Sequence, residues 1–143
     1  MKPFHYTILR TVEEMLPYHD VVVQMPYVFN LRQYETYLGE MIPNGYHQMV
    51  VLEGQECIGL AGFWISTKLY CGRYVELDNV IIIKGRQGLG IGKLLCAYIE
   101  AEAVKLGCTT ALLDAYVENS AAHKFYFREG YRIRGYHFLK NLL

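Results

Sequence analysis

Apolar positions recur along this chain with two periods, and the switches between them mark out its elements. Phe4, Tyr6 and Ile8 alternate with polar neighbours and predict a first strand over 4–11. Two helices are predicted next, over 13–24 and 30–42, separated by Met25-Pro26. In the second, Leu31, Tyr34, Leu38 and Met41 recur at helical spacing and Asn30 is placed to cap. Pro43-Asn44-Gly45 then stops the helix.

The middle of the chain reads as a meander. Tyr46 to Glu53 is β-branched and aromatic, Glu53-Gly54-Gln55-Glu56 predicts a hairpin turn, and Cys57 to Ser66 predicts the returning strand. Gly59 and Gly62 inside that strand mark close approach or a bulge. Arg73 to Ile83 predicts a third, long strand. Ile91 to Leu106 predicts a helix with Ile91, Leu94, Leu95, Tyr98 and Ile99 on one side, although Glu102 falls on that side too. A short strand over 109–115, a helix over 119–129 and a last strand over 131–139 complete the order β-α-α-β-β-β-α-β-α-β. Hairpins in the middle and alternation later imply a mixed sheet, mostly antiparallel, with helices on both faces.

Length and composition narrow the class. At 143 residues the chain is expected to form one domain, residues 1–143. Hydrophobic residues make up 52% and charged residues 20%, which excludes a disordered chain. The aliphatic run Val80 to Ile83 is far shorter than the about 20 residues that a membrane helix needs, so no membrane association is expected. The first ten residues have no apolar signal core, which places the expected location in the cytoplasm. Cys57, Cys71, Cys96 and Cys108 contain no C-x-x-C pair, so neither a metal site nor a disulfide is expected.

Net charge is zero, against a nucleic-acid partner. The total hides an asymmetry. Residues 1–71 carry four basic and seven acidic groups, a net of −3, and residues 72–143 carry a net of +3.

The candidate chemistry lies in the basic half. Val80 to Ile83 runs into Lys84-Gly85-Arg86-Gln87-Gly88-Leu89-Gly90-Ile91-Gly92-Lys93, where a buried strand becomes a glycine turn and then a helix. The first turn of a helix presents unpaired N–H groups and partial positive charge, and glycine lets an anion approach the backbone. Lys84, Arg86 and Lys93 add full charge, so a pyrophosphate-bearing ligand is expected there. The loop is too short for a Walker A motif, and Leu94 follows Lys93 where that motif needs Ser or Thr. It also lies too late in the chain for a dinucleotide fingerprint.

A second segment joins it: Asn119-x-x-Ala122-x-x-Phe125-Tyr126-x-x-x-Gly130-Tyr131. With both segments the chain resembles the GNAT superfamily of N-acetyltransferases. Gln87-Gly88-Leu89-Gly90-Ile91-Gly92 is similar to that family's Q/R-x-x-G-x-G/A loop, and the second segment to its N-x-x-A-x-x-F-Y-x-x-x-G-[FY] signature. The resemblance implies acetyl-CoA as co-substrate, with no metal. It implies that pantetheine lies along Val80, Ile81 and Ile82, and that the pyrophosphate sits on Gly88, Gly90, Ile91, Gly92 and Lys93. Gln87, Leu89, Ala122 and Tyr126 are expected at the cofactor as well, and Asn119 is expected to touch pantetheine or to order its loop.

The reaction implied is acetyl transfer to a primary amine of a small molecule by direct attack in a ternary complex. Such an amine has a pKa near 10, so only about one molecule in a thousand is neutral at pH 7 and a base must take its proton. Asp78 and Glu76 are the candidates, and period two puts both on one face with Val80 and Ile82. Spacing does not choose between them, and a water chain is the third possibility. A backbone N–H near Ile82 is the candidate donor to the oxyanion, and Tyr126 the candidate acid for the leaving thiolate. His123 reads as a packing residue, and an acyl-cysteine route lacks a paired His in sequence. A peptide acceptor and a non-catalytic CoA-binding module are the alternative readings. The acidic, tyrosine-rich 13–46 segment suits a cationic amine, and the last strand or a sheet edge suits a homodimer.

Overall fold

The computed structural model describes residues 3–25, 27 and 30–143. It contains two compact units, residues 1–112 and 113–143.

The first unit is built on a sheet whose strands lie in chain order. They are β1 (Phe4–Leu9), β2 (Tyr46–Glu53), β3 (Glu56–Lys68), β4 (Gly72–Ile82) and β5 (Thr110–Leu113). The first four pair antiparallel. The Thr109 N–H donates to the Arg73 carbonyl at 2.9 Å, so β4 and β5 start side by side and run the same way. This is the mixed, mostly antiparallel α/β sheet that the pattern implied.

The helix expected over 13–24 forms in pieces: α1 (Val12–Met15), a 3₁₀ turn Leu16–Tyr18 and α2 (His19–Val22). Pro17 lies in the 3₁₀ turn, where its missing N–H cannot continue an α ladder. Pro26, expected to separate the two helices, lies outside the described residues. The second helix is α3 (Leu31–Met41), opened by a full capping box: Asn30 Oδ1 accepts from the Gln33 N–H and Gln33 Oε1 from the Asn30 N–H.

The two sheet faces pack differently. Met49, Val51, Ala61 and Phe63 share one face, and α4 (Ile91–Lys105) covers it. A Cβ on Gly59 would come within 2.8 Å of Ile91 Cγ2, so glycine is what lets α4 seat this closely. Tyr6 of β1 stacks on Tyr98 of α4, ring centroids 3.8 Å apart. On the opposite face Tyr46, Val50, Leu60 and Ile81 pack with Met15, Val21, Tyr34 and Leu38 from α1 to α3.

The second unit contains one complete helix, α5 (Ser120–Arg128), capped by Asn119. The strand expected over Tyr131–Leu139 does not form: these residues have no strand pairing. Alternating apolar residues make a strand only when a neighbouring backbone takes up their N–H and C=O groups.

Candidate active site

The site begins at an irregularity in β4. Gly62 pairs with Asp78 and Leu60 with Ile81, so Ala61 alone faces two residues of β4, Asn79 and Val80. Asn79 absorbs the extra length at φ +55°, the left-handed region where Asn is among the few tolerated side chains. The bulge shifts the side-chain alternation by one. Glu76 and Asp78 therefore share one face, as period two predicts, but it is the face of Ile81, not that of Ile82, which overturns the uninterrupted period-two face with Val80 and Ile82. They lie on the side covered by α1 to α3.

Asp78 is half-buried and oriented. Its Oδ2 accepts from the indole N–H of Trp64 at 3.0 Å. Trp64 also pairs across the ladder with Glu76, which is likewise half-buried. Gly62, opposite Asp78, leaves space for the Tyr46 hydroxyl, which a Cβ there would meet head-on. Burial pushes that hydroxyl well above its ordinary range, and the charge of Asp78 adds to the effect.

Behind Tyr46 lies a polar knot. Gln48 is 1% exposed, and its Nε2 donates to Tyr34 Oη at 2.8 Å and to Tyr46 Oη at 3.1 Å. Its Oε1 is buried with no hydrogen-bond partner among the described residues. Next to it is a cavity of about 80 Å³ lined by Tyr27, Tyr34, Tyr37 and Tyr46, with Met41 and Leu60 among its other walls. The Tyr27 hydroxyl donates to Asn79 Oδ1, tying one wall to the bulge. A more open cleft of about 450 Å³ lies between Tyr18 and Asp20 on one side and Glu56 and Cys57 on the other, beside Ile83.

β4 then leads into the glycine loop. Ile83 N–H donates to Ile58 O at 3.1 Å, so the N–H and C=O of Ile82 face the strand edge away from β3. Consistently, the Ile82 carbonyl accepts from Gln87 Nε2 at 3.4 Å, while Gln87 Oε1 takes the Gly85 N–H at 2.9 Å. Gln87 thus buttons the loop onto the strand end. Gly88 and Gly90 both sit at φ +79° with open space where a Cβ would project. Gly90 is the N-cap of α4 and no side chain caps the first turn, which leaves the N–H groups of Ile91, Gly92 and Lys93 for a ligand. Gln87, Leu89 and Lys93 are exposed around this turn. The loop residues therefore suit a pyrophosphate: backbone donors without a competing cap, and no side chain in the approach.

Arg86 does not join them. It pairs with Glu53 at 3.0 Å and Glu56 at 3.4 Å and is spent on the β2–β3 hairpin. Among the described residues Lys84 and Lys93 form no ion pair, so they remain the cations of the loop.

In the second unit Asn119 Oδ1 accepts from the Ala122 N–H at 3.1 Å, so Asn119 orders the start of α5 and Ala122 is the residue it caps. Tyr126 packs edge-on against Phe125 and Tyr131, with centroids 5.1 and 5.7 Å away. His123 Nε2 meets the Tyr116 carbonyl at 2.9 Å and serves to pin the preceding loop. The four cysteines are free, and burial pushes the Cys57 thiol up to about 11, which keeps it a poor nucleophile.

Sequence does not point to Trp64, Gln48 or Asn79, whereas Tyr46 belongs to the tyrosine-rich 13–46 segment. A single tryptophan two residues after Gly62 is the available signal, but only the tertiary structure brings its indole to Asp78. Among the described residues no helix is long and apolar enough to cross a membrane, and no group of three or more His, Cys, Asp and Glu is placed to hold a metal.

Residues 9–131 match the profile of the Acetyltransferase (GNAT) family. The aminoalkylphosphonate N-acetyltransferase of Salmonella typhimurium is 28% identical over 101 residues, which span 70% of this chain and 65% of that protein. Among solved structures, an aminoglycoside N-acetyltransferase in complex with CoA superposes with a TM-score of 0.82 at 16% identity, over 99% of this chain and 98% of that one. Glucosamine-6-phosphate N-acetyltransferase from Arabidopsis thaliana gives a TM-score of 0.74 at 17% identity, over 99% of each chain.

Proposed function

The chain belongs to the GNAT acetyltransferase family, and from that premise we propose that it is an acetyl-CoA-dependent N-acetyltransferase acting on a primary amine of a small molecule. The observation that carries the reading is on β4. One strand holds a tryptophan-oriented carboxylate at its bulge and then runs into the uncapped N-terminus of α4. A proton acceptor and an anion cradle thereby lie on consecutive stretches of the chain, joined by the glycine loop.

Residues 1–143 act as one acetyltransferase domain in this reading, since the family match runs through both units. Gly88, Gly90, Ile91, Gly92 and Lys93 bind the pyrophosphate of the co-substrate, with Gln87 and Leu89 shaping the loop. Ile82, whose N–H and C=O face away from β3, offers backbone groups to its pantetheine arm, with Val80 and Ile81 on the same stretch of β4 beside it, and Asn119, Ala122 and Tyr126 are assigned to the same ligand by the family pattern. When bound, acetyl-CoA supplies the activated thioester.

The protein's own groups manage the protons. Asp78, held by Trp64, accepts the proton of the ammonium directly or through water, and Glu76 is the neighbouring carboxylate that sustains the negative potential. The Ile82 N–H, turned away from β3, donates to the oxygen that gains charge during attack. The Tyr126 hydroxyl returns a proton to the departing sulfur.

Thermal unfolding with acetyl-CoA tests the reading. Millimolar acetyl-CoA raises Tm by mass action. The absence of any shift refutes cofactor binding and, with it, the enzyme.

A further inference from the structure

The cavity behind Asp78 has a chemistry of its own. Its described lining is tyrosine, valine, methionine, leucine, glutamine and asparagine, with no Lys, Arg or His and no carboxylate. The amides engage three of the four tyrosine tips: Tyr34 and Tyr46 through Gln48, and Tyr27 through Asn79. What faces the space is therefore mostly ring and hydrocarbon, with the uncharged amides of Gln48 and Asn79 as its polar groups. A dianion entering it would meet no cation, and an unpaired charge in such surroundings costs many times a lost hydrogen bond.

Negative charge lies beside the Tyr46 wall. Tyr46 lies in the cavity wall and within electrostatic reach of Asp78, and Asn79, the next residue, also lines the cavity. The arrangement is an uncharged aromatic box with a carboxylate at one end. That is complementary to an ammonium group on a hydrocarbon skeleton, with ring faces adding cation–π attraction. At about 10–15 Å³ for one water-sized position, the about 80 Å³ cavity has room for a single ring or a short branched chain.

We infer that the acceptor is a primary monoamine on a compact, uncharged hydrocarbon skeleton, of the arylalkyl or branched alkyl class, with the skeleton in the tyrosine box and the amino group at Asp78. The inference rests on the acetyltransferase reading and sets this chain apart from the phosphonate and aminoglycoside named for its relatives.

The test measures CoA release by the full chain with phenethylamine, isoamylamine, 2-aminoethylphosphonate and an aminoglycoside, beside the acetyl-CoA melting shift. The two monoamines should exceed the other two in kcat/KM by about thirtyfold or more, the scale on which pockets discriminate small groups. Val22 and Tyr37 line the box away from the deepest core. Val22→Phe should narrow it and raise KM for phenethylamine about tenfold while the acetyl-CoA shift stays intact. Tyr37→Lys, which adds a cation to the wall, should move the ratio of phosphonate to monoamine turnover up about tenfold.

Preference for the phosphonate or the aminoglycoside overturns the inference. So does a normal acetyl-CoA shift with no monoamine acetylated, or a Val22→Phe variant that retains the shift and an unchanged KM. A missing acetyl-CoA shift refutes instead the enzyme reading beneath it.

Discussion

The two faces of the central sheet are built to different rules. Toward α4 the contacts are dry and close, with Phe63, Ile58, Leu95 and Ile99 fully buried and Gly59 admitting Ile91 to the sheet surface. Toward α1 to α3 the sheet carries Asp78, Glu76, a bulge, and a buried glutamine whose oxygen has no partner among the described residues, and Tyr46 joins three tyrosines from outside the sheet around a cavity. Close packing stabilises the first face. The second holds polar groups that cost stability unless a ligand or neighbour engages them, which is how a functional surface differs from a structural one. The two faces share the same strands, and alternate residues along β2 and β3 belong to different rules.

Substitutions can break that contrast. The largest effect is expected at Asp78. Asp78→Asn should lower kcat about 10² to 10⁴-fold with little change in Tm, as the loss of a general base does. A smaller effect than that of Glu76→Gln in the same pH–rate profiles would move the base to Glu76, and an unchanged basic limb in both would point to water. On the opposite face, Phe63→Ala should cost about 3–5 kcal/mol in urea unfolding by leaving a cavity. Gln48→Met, equally buried, should cost no more than about 1.5 kcal/mol, because it removes an acceptor with no partner among the described residues along with two donated bonds. Equal losses for the two would erase the distinction between the faces.

Alkaline titration sharpens the comparison. Burial raises Tyr34 and Tyr46 above the ordinary 10.0 and Cys57 from 9.0 to about 11, all on the cavity side. Above pH 9 the unfolded chain releases protons that the folded chain retains, so stability is full below that pH and falls as pH rises toward 11 and beyond. Denaturation curves at pH 8, 9.5 and 10.5 should show this decline, and a flat profile would mean that these groups are open to water. The smallest effect is expected at the hairpin. Arg86→Ala loses partly exposed pairs to Glu53 and Glu56 and should cost less than about 1 kcal/mol, read as a small fall in Tm that high salt reduces in the parent chain.

Much of the architecture was legible because its signals are local. Asn30 announced the cap where α3 begins, which the structure completes as a box with Gln33, and Gly54-Gln55 makes the turn of the hairpin. Pro17 sits inside what periodicity presents as one helix, and proline chemistry breaks it there. Less local features escaped. Residues 131–139 have an alternating pattern, but a pattern does not supply the pairing partner a strand requires. The charge of Arg86 counted toward an anion until the hairpin placed Glu53 and Glu56 against it.

The same division runs through the candidate site. Sequence by itself determined the glycine loop and its helix start, since a left-handed turn at Gly88 and Gly90 and the free N–H groups of a helix start are properties of a few consecutive residues. It also determined that Glu76 and Asp78, two apart on one strand, share a face. Which face they share, and what meets them there, only the tertiary structure decided. One extra residue at Asn79 resets the alternation of β4, and the register with β3 brings Trp64 to Asp78. The register with β2 then brings Tyr46 and Gln48 behind them. Those contacts depend on the pairing of distant segments, which no short stretch of the chain encodes.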